Sequence, residues 1–433
     1  MAQPPAESLW RNRDFVSLLA AATVSQVGSF ITRTALPFAA ILILGAGAGE
    51  VAVIRGAEII AGLTIGLVAG AWVDRLRRRP VMVWADLGRA LLLGSIPVAF
   101  IAGSLTLPHL ILVAFGAAVL TTFFDVADRA FLPTVIGRER LVSANSTLTA
   151  SSSTAEFVGF GAGGWLIQVL TPPIAIAIDA VSFVASALLL GRIRTKEPPP
   201  TPPQDREPVL REIMEGLRLT LGHPILRPLA LADASVAGFW GVFGAVYLVF
   251  VTDIGFQPAA IGLLAAVGGL SSLVGAVLAE RATRWLGGVG RFLISAMVLV
   301  TIGNICLALT PDATMIGIAL LLAQQVLTDS SLTAFDVVAM SIRQASVEDR
   351  ALGRVGASFH TLAMGFLLAG TLIGGVLAET IGLRWALVVG GGGGLLSIAI
   401  LWFSAVRGMA EVPVGLDQLA GPVIAGEDVP LSE

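Results

Sequence analysis

Long apolar runs separated by short polar segments set the rhythm of this chain. Runs near 15–42, 51–73, 81–103, 107–132, 144–170 and 174–191 come first. After a polar interval, a second set lies near 225–252, 259–279, 291–310, 314–341, 355–380 and 385–406. Roughly 20 apolar residues in a helix cross the hydrocarbon of a bilayer, and every run reaches about that length. The pattern predicts an all-α polytopic membrane protein with twelve transmembrane helices. It divides into a six-helix half over 1–192, a linker over 193–224, a second six-helix half over 225–407 and a disordered acidic tail over 408–433. The first run follows Leu9-Trp10-Arg11-Asn12-Arg13-Asp14 without a small-residue cleavage site, so it reads as an uncleaved span.

Arginine placement orients these spans. Arg75, Arg77, Arg78 and Arg79 share one loop, Arg138 and Arg140 lie two loops later, and Arg281 and Arg284 follow the eighth span. The linker carries Arg192, Arg194, Lys196, Arg206, Arg211 and Arg218, whereas the intervening loops are nearly free of arginine, with Arg384 the exception. Cytoplasmic loops collect Lys and Arg, so both termini and residues 192–224 are expected in the cytoplasm of a bacterial inner-membrane protein, with Pro108 and Pro311 at the outer surface. Within the linker, Pro198 to Pro203 should be extended. Val209, Leu210, Ile213, Leu217 and Leu221 then recur at helical spacing opposite Arg211, Glu212, Glu215 and Arg218, the pattern of a short helix lying on the cytoplasmic membrane face.

The two sets of runs resemble each other. Thr122-Phe123-Phe124-Asp125-Val126 matches Thr333-Ala334-Phe335-Asp336-Val337, and the same offset pairs Gly159 with Gly370 and Gly163-Gly164 with Gly374-Gly375. Leu67-Val68 and Asp74-Arg75 align with Leu273-Val274 and Glu280-Arg281 at an offset shorter by one loop-length change. Six spans, a linker and six spans in the same orientation form a parallel repeat, with a substrate path expected between the halves.

Composition removes other readings. Of the 433 residues, 55% are hydrophobic and 13% charged, about half the charge of a soluble domain. Cys306 is the only cysteine, and His109, His223 and His360 are far apart, so neither a disulfide within the chain nor a Cys or His metal site is expected. The single lysine, Lys196, precedes Glu197 and so cannot belong to a phosphate-binding Gly-Lys-Ser/Thr loop. No basic block with interleaved aromatics suits nucleic acid. Gly45 to Glu50 has the glycine content of a phosphate loop but lies between two spans, and Gly390 to Gly394 reads as a close-packing segment.

Gly70-Ala71-Trp72-Val73-Asp74-Arg75-Leu76-Arg77-Arg78-Arg79 resembles the G-x-x-x-D-R-x-G-R-R signature of the major facilitator superfamily, with Arg77 at the second glycine. Asp86-Leu87-Gly88-Arg89, Arg138-Glu139-Arg140-Leu141, Asp179-Ala180-Val181-Ser182, Leu352-Gly353-Arg354 and Gly374-Gly375 are similar to its drug-efflux branch, which includes macrolide-efflux pumps and the enterobactin exporter. Two departures bear on proton antiport. Phe160 stands where the G-P-x-x-G-G antiporter motif has proline, and the arginine motif of many proton antiporters is absent near the start of the fourth span.

The resemblance implies a cytoplasmic gate built from Gly70, Asp74, Arg75, Arg78 and Arg79 with Asp125 and Asp128, closing that side in the outward-open state. The plainer alternative is that the arginines only enforce topology, with Asp125 and Arg129 forming a local pair four residues apart. Charges deep in a span are costly, about 2.5–3.5 kcal/mol each on insertion scales, which draws attention to Arg33, Arg55, Glu58, Glu156 and Asp329. Arg55 and Glu58, three apart, can satisfy each other, and Arg33 can meet Glu58 or an anionic substrate. Asp329, with Glu156 in reserve, is the expected proton-coupling carboxylate, and Arg33, Glu58, Trp240 and Gln325 are expected to line the substrate cavity. Trp10, Trp285 and Trp402 suit interfacial anchoring.

These features predict a monomeric, cofactor-free secondary transporter that exports an amphipathic small molecule, such as an antibiotic, natural product or siderophore, in exchange for protons. A lysophospholipid flippase of the same fold, or a non-transporting membrane enzyme or sensor, are the alternatives.

Overall fold

Helix ends fall where the sequence supplies caps and turn residues. Asn12 accepts from the amides of Asp14 and Phe15 at 3.0 and 3.1 Å and so caps the first helix. Proline stands at the first or second position of three others (Pro108, Pro172 and Pro258), where its missing N–H costs nothing. The computed structural model describes residues 9–73, 75–197 and 209–411. Its helices are α1 Arg13–Phe38, α2 Ala48–Val73, α3 Arg78–Ile101, α4 Leu107–Ile136, α5 Leu141–Leu170, α6 Pro172–Gly191, α7 Val209–Gly222, α8 Leu226–Asp253, α9 Pro258–Trp285, α10 Val289–Leu309, α11 Met315–Ala345, α12 Asp349–Ile381 and α13 Leu383–Trp402.

The protein is an all-α, multi-pass membrane protein. Among the described residues, ten helices are long and apolar enough to cross a membrane; α2 and α5 are outside that ten. Those two carry Arg55, Glu58 and Glu156, and α5 opens with a stretch rich in serine and threonine. α2 and α5 are nonetheless 26 and 30 residues long, each enough to cross a bilayer.

Before α7, α1 packs on α5 and α6, α2 on α4, and α3 on α4 and α6. After it, α8 packs on α12 and α13, α9 on α11, and α10 on α11 and α13. Contacts between the two groups run through α5 with α9 and α2 with α12. They concentrate at the end of the bundle that holds the α1–α2, α5–α6, α8–α9 and α12–α13 turns, hereafter the far end. Here one apolar core takes Ile31, Phe38, Ile54 and Ile176 from one group and Phe243, Val246, Ile261 and Leu387 from the other. At the opposite end, the linker end, each group has its own core, one around Phe15, Met82 and Phe131 and one around Leu229, Phe292 and Phe335. The groups are joined at one end and parted at the other.

Glycine permits the far-end junction. A Cβ on Gly164 of α5 would collide with the Pro258 carbonyl and the Gly262 backbone of α9, and one on Gly375 of α12 would press on Gly49 and Ala52 of α2. Gly390, Gly393 and Gly394 likewise let α13 approach Val242, Phe239 and Thr301, the close packing their sequence suggested. In the Gly45–Glu50 segment, Gly45 turns with φ 69° and the Glu50 carboxylate accepts from the Gly47 amide at 2.8 Å, capping α2. Arg384, the exception to the charge pattern, donates to the carbonyls of Ala308 and Thr310 at 2.6 and 2.9 Å. It neutralises the α10 C-terminus, where a cation is favoured.

The linker departs from expectation in one respect. α7 packs against α12 and α8, with Ile213 and Thr220 buried, Gly216 set against the Arg354 backbone and Glu215 paired with Arg354 at 3.0 Å. Its inward face thus covers protein rather than lying on the membrane, although Met214, Leu219 and Leu221 stay exposed. The linker's first residues are stapled to the other group. The Asp14 carboxylate accepts from the amides of Arg194 and Thr195, at 3.1 and 2.8 Å, and from the Thr195 hydroxyl at 2.6 Å. The Glu197 carboxylate accepts from the amides of Arg78 and Arg79 at 2.6 and 2.9 Å, an anion on the N-terminus of α3. The expected extended segment from Pro198 to Pro203 and the tail beyond 411 lie outside the described residues, but the start of the tail expected to be disordered is docked on α10, where the Met409 and Ala410 carbonyls accept from the Gly290 and Val289 amides at 2.9 and 3.2 Å.

Candidate functional site

Where the two groups part, a cavity of about 1300 Å³ opens between them. Its lining runs from Arg33, Thr34 and Ile261 toward the far end to Asp125, Arg129, Ile213 and Arg354 at the linker end. Six of the sequence-selected residues, Arg33, Glu58, Glu156, Trp240, Gln325 and Asp329, all line it. Helical periodicity alone could not have joined them, because they come from α1, α2, α5, α8 and α11.

The wall before α7 is charged. Arg55 pairs with Glu58 at 3.2 Å, the local pair foreseen from their spacing. Arg55 also donates to the Arg33 backbone carbonyl at 3.2 Å. Arg33 is within electrostatic reach of Arg55, Glu58 and Glu156, but its guanidinium forms no direct pair among the described residues. Glu58 is therefore taken by Arg55, and Arg33 stands free in the cavity.

The wall after α7 is aromatic and hydrogen-bonding. Trp240, Phe243 and Tyr247 recur at helical spacing on α8 and stack in a column, with centroids 5.1 and 5.4 Å apart and planes within 7° and 13° of parallel. The Gln325 side-chain amide donates to the Leu264 carbonyl of α9 at 3.2 Å. Asp329 lies one turn further along α11, within electrostatic reach of Glu156 and Tyr247. Gly268 and Gly269 of α9 sit between the carboxylates. A Cβ on Gly268 would strike Asp329 and Gln325, and one on Gly269 would lie 3.9 Å from the Glu156 carboxyl. Two carboxylates from opposite sides of the bundle thus share one stretch of cavity over a glycine pair. Gln324, adjacent in sequence, turns away and is buried, with neither polar atom hydrogen-bonded.

The gate residues are less closely grouped. Gly70 lies on α2, and Asp74 is outside the described residues. Arg75 is exposed, while the Arg79 side chain binds the Leu190 and Gly191 carbonyls at the end of α6. Asp125 and Arg129 line the cavity mouth, and Asp128 is half-buried behind them. No ion pair joins Arg75 or Arg78 to Asp125 or Asp128 among the described residues.

One feature was passed over in the sequence, and a second joins motifs that the sequence showed only separately. The Phe243 and Tyr247 column was legible as an i, i+3, i+7 aromatic stripe beginning at Trp240. The other is a buried polar network on α3, α4 and α6, where Arg89 binds Asp86 and lies 4.5 and 4.1 Å from the Phe124 and Phe183 ring centroids. Asp179 accepts from Ser182 nearby at 3.0 Å. Asp86, Arg89 and Asp179 are almost fully buried and lie outside the cavity lining, so this network ties helices together.

A helical bundle closed at one end, with a large mixed-polarity cavity opening at the other, defines a membrane transporter. The sequence profile of the Major Facilitator Superfamily matches residues 18–325, and the chain belongs to that superfamily. It is a secondary transporter of small molecules. The chain is 27% identical over 376 residues to the multidrug efflux pump Tap of Mycolicibacterium fortuitum, covering 85% of this chain and 90% of that one. Two solved structures share the fold: a D323A mutant of the nucleoside transporter NupG, and a bacterial homologue of the iron transporter ferroportin in an inward-facing state. The first superposes with a TM-score of 0.75 at 11% identity, covering 90% of this chain and 99% of that one. The second does so with 0.72 at 19% identity, covering 92% and 99%. Such relatives span diverse transporters of the superfamily rather than the drug-efflux branch alone.

Proposed function

We propose that this protein exports an amphipathic small molecule from the bacterial cytoplasm across the inner membrane, by alternating access between six-helix halves at 1–192 and 225–407. Protons are the counter-ion and the working unit is a monomer. One observation carries this reading: a cavity of about 1300 Å³ lies between the halves, with Glu156 and Asp329 facing each other across Gly268 and Gly269. The linker end, rich in arginine, is cytoplasmic, so the arrangement described here is inward-open. Helix pairings that recur in the same order before and after α7 support two equivalent halves. The likeness to the multidrug pump Tap supports export of a drug-like molecule.

The chemistry follows from desolvation. A carboxylate in a cavity that closes from water favours its neutral form, and reopening to the other side favours release of the proton. Asp329 and Glu156, which make no hydrogen bond or ion pair among the described residues, are available for that exchange. The aromatic column offers the apolar face an amphipathic molecule needs.

Purified protein in proteoliposomes, assayed with erythromycin, tetracycline and ethidium, tests the proposal. Uptake of at least one compound driven by an imposed pH gradient, and abolished by dissipating it, is expected. Gradient-independent flux of all three removes the proton from the mechanism. Absence of flux, with lysophospholipid moved instead, establishes the flippase.

A further inference from the structure

We infer that Arg55 is a positioning residue that latches α1 to α2 by satisfying a carbonyl that Pro37 leaves without its helical donor. Pro37 lies inside α1 and has no N–H to give to the carbonyl four residues earlier, which belongs to Arg33. Within a membrane such a freed carbonyl must find another donor. The Arg55 guanidinium of α2 supplies it, donating to the Arg33 carbonyl at 3.2 Å, while Glu58 holds the same guanidinium at 3.2 Å from the other side. Just beyond the proline, α1 widens into a π-helical turn over Ala39–Ile43, the kind of irregularity that gathers at functional sites.

The other half of the molecule is the internal control. α8 packs on α12 and α13 as α1 packs on α5 and α6, yet it carries no proline beyond its first turn. Its successor α9 has arginines only at the linker end, Arg281 and Arg284. Proline and arginine are present together on one side and missing together on the other.

The latch joins two pieces of the closed far end. Phe38, Ala39 and Ala40, immediately after Pro37, are fully buried in the core that both groups share. Gly49, Ala52 and Gly56, on the turns preceding and flanking Arg55, pack against Gly375, Glu379 and Leu372 of α12. Arg55 therefore fixes α1 to the helix that seals this end against α12, and it orients Arg33 toward the cavity by holding that residue's backbone. Loss of the latch loosens far-end closure. The consequence for transport rests on the alternating-access reading above, but the contact and its test do not.

The test reads far-end closure without substrate. Ala378, buried in the shared far-end core, is replaced by cysteine in a Cys306→Ser background. Its reaction with a membrane-impermeant maleimide is then followed in proteoliposomes. Arg55→Gln should raise the labelling rate about fivefold or more, the scale of a typical coupling between sites. In a Pro37→Ala background, residue 37 regains an N–H for the Arg33 carbonyl, and Arg55→Gln should then change the rate less than about twofold. An equal factor in both backgrounds, or no change in either, overturns the latch. If Pro37→Ala does not accumulate, Arg55→Lys decides. Lysine still donates to the carbonyl and should keep the parental rate, whereas a rise equal to that of Arg55→Gln overturns the inference.

Discussion

The two walls of the cavity are built from helices with matching neighbours yet carry different chemistry. Before α7 the wall is a string of charges: Arg33, Arg55, Glu58 and Glu156. After α7 it is an aromatic column and a hydrogen-bonded glutamine, with Asp329 as its carboxylate. Helix packing constrains size and shape at an interface, so small residues recur where backbones must touch, as at Gly164 with Gly262 and Gly375 with Gly49. A cavity wall touches no partner helix and is free of that constraint. Matching architecture with unlike walls is what results when one side handles charge and the other holds an apolar body.

The largest effect should come from the carboxylates. Asp329→Asn is expected to abolish accumulation against a gradient while retaining exchange at equal concentrations. Glu156→Gln, on the charged wall where Arg33 lies within reach, should lower accumulation only several-fold, since Asp329 remains to carry the exchange. Uphill transport by Asp329→Asn at the parental rate would sink the assignment, and equal losses in the two mutants would erase the distinction between walls.

Next comes the seam that joins the walls. Gly164→Val places a side chain against the Pro258 carbonyl and the Gly262 backbone, an overpacking of about 1–3 kcal/mol. Far-end closure should be disfavoured by roughly tenfold or more, read as faster maleimide labelling at Ala378→Cys. Gly161→Val is the control, because the space around that glycine is nearly open.

A smaller effect belongs to the aromatic column. Phe243→Ala removes the middle ring of the stack, worth about 0.5–1.5 kcal/mol beyond area burial. It should raise KM by several-fold with kcat little changed, measured in the same proteoliposomes. A fall in kcat alone would move the column from substrate binding to helix packing.

The effect with the least bearing on transport lies outside the spans. His223 Nδ1 accepts from the amides of Ile225 and Leu226 at 3.2 and 3.3 Å, capping α8, and burial holds its pKa below the ordinary value. The unfolded chain therefore binds the extra proton first. The stabilisation is full above about pH 6.5 and is lost as pH falls through the lower folded-state value. His223→Ala should cost about 0.5–2 kcal/mol at pH 8 and less at pH 5, by thermal unfolding in detergent.

The position of α7 and the helix boundaries follow from local patterning, since each depends on residues within a few turns of each other. The run predicted near 81–103 is α3 at Arg78–Ile101, and the linker helix expected from Val209 to Leu221 is α7 at Val209–Gly222. The Arg55–Glu58 pair was legible for the same reason. The surface that α7 covers was not, because amphipathicity reports that a helix has an apolar face and not whether lipid or α12 meets it.

By itself, the sequence determined a membrane bundle, its superfamily resemblance and a short list of charges too costly to leave in lipid. Only tertiary structure decided that Glu156 and Asp329 share one stretch of cavity, and that Gln324 turns away while Gln325 turns in. The physical reason is that burial cost depends on residue type and is written in composition. Partnership depends on distances between helices far apart in the chain, and those are set only when the bundle packs.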